Sequence, residues 1–269
     1  MYLLARRNEI LDSINNLFKT DGFEFAMSMD CEGTNFDKNL ENNVKNLERF
    51  LKLASDNSIC TILFISPYFA DMLNKLNLIE KIKQYKVIFG LHIHPDNLPD
   101  EIKSKCNFIK ENEELLSSYS YEEQKMIINN SMDYLRKKGI NPIEIYRGGY
   151  FSMNDYTSKA LLELTDIKYE SHNIYREQYS VTNNLLNSIP VYAFDKDTEL
   201  RLDSTPSKQL SQMLLDAIKT NKKVLGITHS YLLDPNDFHY KRDNIEEDIH
   251  FKLSELIKIM KNSISLENI

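Results

Sequence analysis

The sequence predicts an α/β protein, a parallel sheet covered by helices and closing into a barrel. Short apolar runs bounded by turn residues alternate about seven times with segments of helical spacing. Strands separated by helices pair in parallel, and seven or eight such units in one chain usually close on themselves. An open, doubly wound sheet is the alternative. However, only 7 of the 269 residues are glycine, and no glycine-rich phosphate loop is present to support it.

The elements follow in order. Met1–Phe18 mixes Arg6, Arg7, Glu9 and Asp12 with apolar residues and reads as an amphipathic first helix, so residues 1–20 precede the barrel proper. Phe23–Asp30, entered from Asp21-Gly22, is the first strand. From Asn35 to Ser55, Leu40, Val44, Leu47, Phe50 and Leu51 keep a helical period. Ile59–Ile65 is a strand stopped by Ser66-Pro67, and Phe69, Met72, Leu73 and Leu76 form one face of the next helix. Lys86–His94 is the third strand. A helix from about Ser120 to Lys138 stops at Gly139, where a left-handed cap costs glycine least. Ile143–Arg147, Ile167–His172, Ile189–Phe194 and Lys222–His229 are the remaining strands. Asn154 or Asp155 caps a helix through Leu164, Ser204-Thr205-Pro206 opens another with a cap and a proline in its first turn, and Ile245–Met260 closes the chain.

Composition narrows the function classes. The chain is 42% hydrophobic and 27% charged, ordinary for one globular domain over residues 1–269. A net charge of −7 without basic clusters argues against nucleic acid or an anionic membrane surface as partner. No apolar run approaches the roughly 18 residues of a membrane span. No cleavable leader is visible, so a cytoplasmic protein is expected. Cys31, Cys60 and Cys106 have neither disulfide nor zinc spacing, and Cys60 reads as a small core residue. Oligomeric state is not legible.

Chemistry gathers where the strands end. In βα folds the C-terminal strand ends carry functional side chains. Here those ends read Asp30-Cys31-Glu32, His92-Ile93-His94, Arg147-Gly148-Gly149-Tyr150, Ser171-His172 and His229-Ser230-Tyr231. A strand's period of two aims His92 and His94 the same way, and likewise Asp30 and Glu32. Alone, the histidines could be a hydrogen-bonded structural pair, and the acids could simply favour a helix N-terminus. Together, two oxygens and two nitrogens suit a divalent ion: zinc, cobalt, nickel, iron or manganese. Arg147 follows Ile143 and Ile145 in strand alternation and shares their inward face. A buried guanidinium requires a carboxylate, and Asp30 and Glu32 are both candidates. Gly148 and Gly149 let backbone N–H groups approach a ligand and support an oxyanion. His229 can act as a general acid or be a solvent-facing cap. His172 either joins the site or orients Tyr150, whereas His239 and His250 read as structural.

Taken in order, Ser28-Met29-Asp30-Cys31-Glu32, Gly90-Leu91-His92-Ile93-His94-Pro95, Tyr146-Arg147-Gly148-Gly149-Tyr150 and Thr228-His229-Ser230-Tyr231 resemble the polysaccharide deacetylase family from about Phe23 to Tyr231. The resemblance implies a distorted (β/α)7 barrel and metal-dependent removal of an N-acetyl group from a sugar. It further implies Asp30 as base, Arg147 as the residue that positions it and His229 as acid. Glu32, His92 and His94 would hold the divalent metal, zinc first among them. Gly149, Tyr150 and Tyr231 would contact substrate, with Tyr150 beside the oxyanion pocket. Two departures stand out: Cys31 occupies the position of the family's metal-binding aspartate, and the histidines are two apart rather than four. A cytoplasmic member of this kind would act on a small-molecule or lipid-linked acetamido sugar, a precursor of surface polysaccharide. A metal-independent cyclic amide hydrolase and a catalytically degenerate glycan-binding barrel are the alternatives.

Overall fold

All seven residues of Phe25–Cys31 (β1) and all six of Cys60–Ile65 (β2) are buried, as expected of parallel strands covered on both faces. A computed structural model describes residues 14, 16–20, 23–183, 185–220, 222–236 and 248–267, with side chains described as far as residue 262. The helix expected at Met1–Phe18 and the start of the one expected at Ile245 therefore lie largely outside the described residues, as does His239. The other main strands are Val87–Ile93 (β3), Ile143–Gly148 (β4), Tyr169–Glu170 (β5), Asn187–Ser188 (β6) and Val224–His229 (β7). They form one parallel sheet in the order β6-β5-β4-β3-β2-β1-β7. This is the distorted (β/α)7 barrel.

The strands divide their side chains between two cores. Ala26, Ile62, Phe64, Ile88, Ile145 and Leu225 meet on one face, with Ile14 and Leu17 packed against them. Met27, Met29, Cys31 and Leu63 point the other way and meet the apolar stripes of Leu40–Ser55 (α1) and Pro67–Lys75 (α2). Ser66 caps α2 by accepting the Phe69 N–H, and Pro67 occupies its first turn. Tyr121–Lys137 (α3) starts in a capping box built by Ser120 and Glu123, and Gly139 beyond its end has φ +86°. Asn154 caps Asp155–Leu164 (α4) by accepting the Thr157 N–H. Ser207–Lys219 (α5) and Ile249–Glu267 (α6) complete the helices that bear on the site. No helix among the described residues is long and apolar enough to cross a membrane.

Several expected boundaries move. α1 begins at Leu40 because residues 33–37 form a turn on the Gly33 carbonyl and Asp37 accepts the Asn39 N–H. Pro206 takes the N-cap position of α5 rather than the first turn, and Thr205 donates to the Glu199 carbonyl instead. Ile189–Phe194 is not a regular strand. Pro190 has no N–H to offer a ladder, and sheet pairing is confined to Asn187–Ser188. The segment then crosses the gap in the barrel: Val191 N–H donates to the His172 carbonyl, and Tyr192 N–H donates to that of Leu225. A register shift between Phe89 and Gly90 also separates Ile143 from Ile145. Ile145 therefore faces the inner core with Arg147, while Ile143 joins the helix-side core. The expectation that Ile143 shares the inward face of Arg147 is corrected accordingly.

Candidate active site

Strand register brings the polar ends together. Asp30 on β1 is opposite His229 on β7, and His92 on β3 is opposite Arg147 on β4. Glu32 follows Asp30 by two residues, so alternation turns it to the same side, and its N–H is held by the Ser230 hydroxyl at 3.0 Å. Its Oε1 lies 3.3 Å from His92 Nε2 and its Oε2 3.5 Å from His94 Nε2. Ligand atoms of all three residues lie within 4.8 Å of one another, and all three are buried.

These three residues fit a divalent ion. His92 Nδ1 stands 2.9 Å from the Arg147 carbonyl. That oxygen only accepts, so Nδ1 donates to it, and Nε2 is left facing the Glu32 carboxylate as the nitrogen that an ion would meet. Glu32 Oε2 and both ring nitrogens of His94 are buried without hydrogen-bond partners. Such atoms are costly unless something satisfies them. Two imidazoles and a carboxylate are a known donor set for catalytic zinc. Burial works against ionising Glu32, but His94 and His92 outweigh it and hold the carboxyl well below its ordinary range. His92 is correspondingly raised by Glu32 and Asp30 against its own burial.

Cys31 has no place in this cluster. Its side chain is fully buried among Met27, Met29 and the helix-side core, with Sγ 3.7 Å from the Met29 carbonyl. Burial pushes the thiol well above its usual range.

Asp30 is the partner Arg147 selects. Arg147 Nη1 donates to Asp30 Oδ1 at 2.6 Å, while Nε and Nη2 donate to the carbonyl and hydroxyl of Ser171, each at 2.7 Å. The fully buried guanidinium lies 4.1 Å from the centre of the Phe64 ring. Burial opposes charge on Asp30, yet Arg147, His92 and His229 outweigh it and hold the carboxyl below its ordinary value. Asp30 Oδ2 faces His229 Nε2 at 3.8 Å, beyond a hydrogen bond.

On its other side His229 meets a residue that pattern reading misses. Nδ1 is 3.1 Å from Asp203 Oδ2, and the ring stacks on Tyr231 at 4.9 Å. Burial opposes ionisation of Asp203, but His229 and Arg201 bring its carboxyl down to about 2. Asp203 sits beside β7 because Leu202 N–H donates to the Ile227 carbonyl and Ile227 N–H to that of Leu200. The signal available in the sequence is Leu200-Arg201-Leu202-Asp203: both leucines are fully buried, so alternation sets the arginine and aspartate on the other face.

The Gly148–Phe151 turn differs from its expected use. The Gly148 N–H is taken by His172 Nε2 at 3.0 Å and does not face a ligand. The left-handed residues are not the glycines but Tyr150 and Phe151, at φ 53° and 60°. Gly149 is needed for contact, since any Cβ there would fall inside the His94 ring. Tyr150, 46% exposed, packs its ring 5.3 Å from that of His94. Partial burial and a hydrogen bond to Glu114 push its hydroxyl up to about 12. His250 donates to the Leu233 carbonyl and is structural, as expected.

No protein-family model matches this sequence, and neither does any curated protein. Solved structures match in fold. A family 4 carbohydrate esterase from Streptomyces lividans, in complex with acetate, superposes at a TM-score of 0.51 with 6% identity, covering 91% of each chain. A Mycobacterium smegmatis protein assigned as a polysaccharide deacetylase reaches 0.57 with 13% identity, over 90% of this chain and 85% of that one. A pseudoenzyme of carbohydrate esterase family 4 from Bacillus anthracis reaches 0.51 with 7% identity, over 91% and 63%. The resemblance read from the four motifs is thus matched by the architecture.

Proposed function

We propose that this chain hydrolyses the N-acetyl group of an acetamido sugar. One observation carries the reading: Asp30, the Glu32–His92–His94 cluster and His229 share one end of a barrel whose fold neighbours include a carbohydrate esterase. The neighbours also include a pseudoenzyme, so fold alone does not decide activity. The side chains present favour turnover.

Glu32, His92 and His94 would hold a divalent ion, zinc first, whose Lewis acidity eases both deprotonation of water and polarisation of the amide carbonyl. Arg147 fixes Asp30 Oδ1, which leaves Oδ2 to take the proton of the attacking water. Asp203 accepts from His229 Nδ1 and turns Nε2 toward Asp30, and as the imidazolium His229 gives its Nε2 proton to the departing amine nitrogen. The Gly149–Tyr150 main chain lies beside His94 and supports the developing oxyanion. Tyr150 and Tyr231 offer ring faces to the sugar. A small-molecule or lipid-linked acetamido sugar, met in the cytoplasm as a precursor of surface polysaccharide, is the substrate this reading favours.

Acetate release from free, nucleotide-linked and lipid-linked N-acetylated sugars tests the proposal. Turnover that is lost on chelation and restored by zinc is the expected result. Turnover untouched by chelators would favour a metal-independent amide hydrolase, and zinc binding without acetate release from any of these sugars would leave a glycan-binding barrel.

A further inference from the structure

His172 is fully buried and lies outside the metal cluster, yet each of its ring nitrogens is committed. Nε2 accepts the Gly148 N–H at 3.0 Å, and Nδ1 is 2.6 Å from Glu170 Oε2. A backbone N–H only donates, so the proton must sit on Nδ1 and be given to Glu170. Glu170 is itself fixed, with Oε1 accepting from the Tyr179 hydroxyl at 3.1 Å. The turn that His172 grips is an unusual one. Tyr150 and Phe151 adopt consecutive left-handed conformations that side-chain-bearing residues rarely take, so the turn needs an anchor outside itself. Gly149, the residue after the anchored N–H, lies directly against the His94 ring. Ser171, next to His172, holds Arg147 through its carbonyl and hydroxyl.

We propose that His172 is a positioning residue: by accepting the Gly148 N–H it seats the Gly148–Tyr150 turn against His94. Three consecutive residues then set both halves of the site, Ser171 through the arginine that fixes Asp30, and Glu170 with His172 through the turn. The kinetic consequence rests on the deacetylase reading, whereas the hydrogen bond does not.

Two substitutions separate the nitrogens. His172→Gln carries an amide oxygen to the place of Nε2, and His172→Asn keeps a donor toward Glu170 but no acceptor for Gly148. Long-range proton–nitrogen spectra of the wild-type imidazoles should show the Nδ1–H tautomer at His172, with the Gly148 amide slow to exchange. His172→Gln should retain that protection and a near-wild-type kcat. His172→Asn should expose the Gly148 amide and lower kcat roughly tenfold or more with KM little changed, as expected when reacting groups are misplaced rather than lost. An Nε2–H tautomer would overturn the proposal, as would equal behaviour of the two variants. If His172→Asn does not fold, loss of Gly148 protection in His172→Gln overturns it. If no acetamido sugar is turned over, the deacetylase reading falls alone, and amide exchange still decides the role of His172.

Discussion

Arg147 Nη1 and Asp30 Oδ1 lie 2.6 Å apart, joining the ends of two strands 117 positions distant in sequence. The pair is buried, so neither charge is satisfied without the other. Arg147→Met should cost about 3–5 kcal/mol of stability by leaving Asp30 uncompensated, measurable by urea unfolding. Asp30→Asn keeps an acceptor for Arg147 but removes the base. Acetate release should fall by about 10²–10⁴-fold while the thermal unfolding profile persists, and full activity in this variant would rule out Asp30 as base.

The metal cluster predicts a stability response independent of turnover. Zinc at a hundred times its dissociation constant should stabilise the wild type by about 2.7 kcal/mol, seen as a raised Tm. Glu32→Ala, His92→Ala and His94→Ala should each lose that rise. Gly149→Ala should weaken zinc binding in titration calorimetry, because the added methyl displaces His94; overpacking of this kind also costs about 1–3 kcal/mol.

Cys31→Ala separates a ligand from a core residue. The thiol is packed on the helix side of β1, so zinc affinity and acetate release should be unchanged, with a stability loss of about 1 kcal/mol. Weakened zinc binding in this variant would mean that Cys31 reaches the ion.

Asp203 predicts an acid limb. Its folded carboxyl is down at about 2, against an ordinary value of 3.8. A depressed acid stabilises the fold above its unfolded value, and that stability drains as pH falls from about 4 through about 2. Asp203→Asn should thus be less stable than wild type by about 2 kcal/mol at pH 6, and the gap should close toward pH 2. A constant gap across urea unfolding at pH 6, 4 and 2.5 would contradict this.

Much of the architecture is legible without coordinates because its signals are local. Apolar runs such as Ile62–Ile65 and Val87–Phe89 mark β2 and β3, and Ser66, Asn154 and Gly139 mark helix ends through bonds or conformations within a few residues. The site is legible where strand alternation suffices: Asp30 with Glu32, and His92 leading into His94. It is less so at β4, where the register shift turns Ile143 away from the face of Ile145 and Arg147. Between Ile189 and Thr198, Pro190 and a turn closed on Asp195 erase any period to read, so the alternation of Leu200 to Asp203 stands without a strand to attach it to.

The sequence alone determined that five strand ends carry reactive groups, since side-chain direction follows from a two-residue repeat. Only the tertiary structure decided that Arg147 takes Asp30 and leaves Glu32 to the histidines, that His229 leans on Asp203, and that His172 serves the Gly148 turn. Those choices join residues from 24 to 117 positions apart. They are set by interstrand register and by the need of each buried charge and N–H to find a partner, neither of which is written into any short stretch of chain.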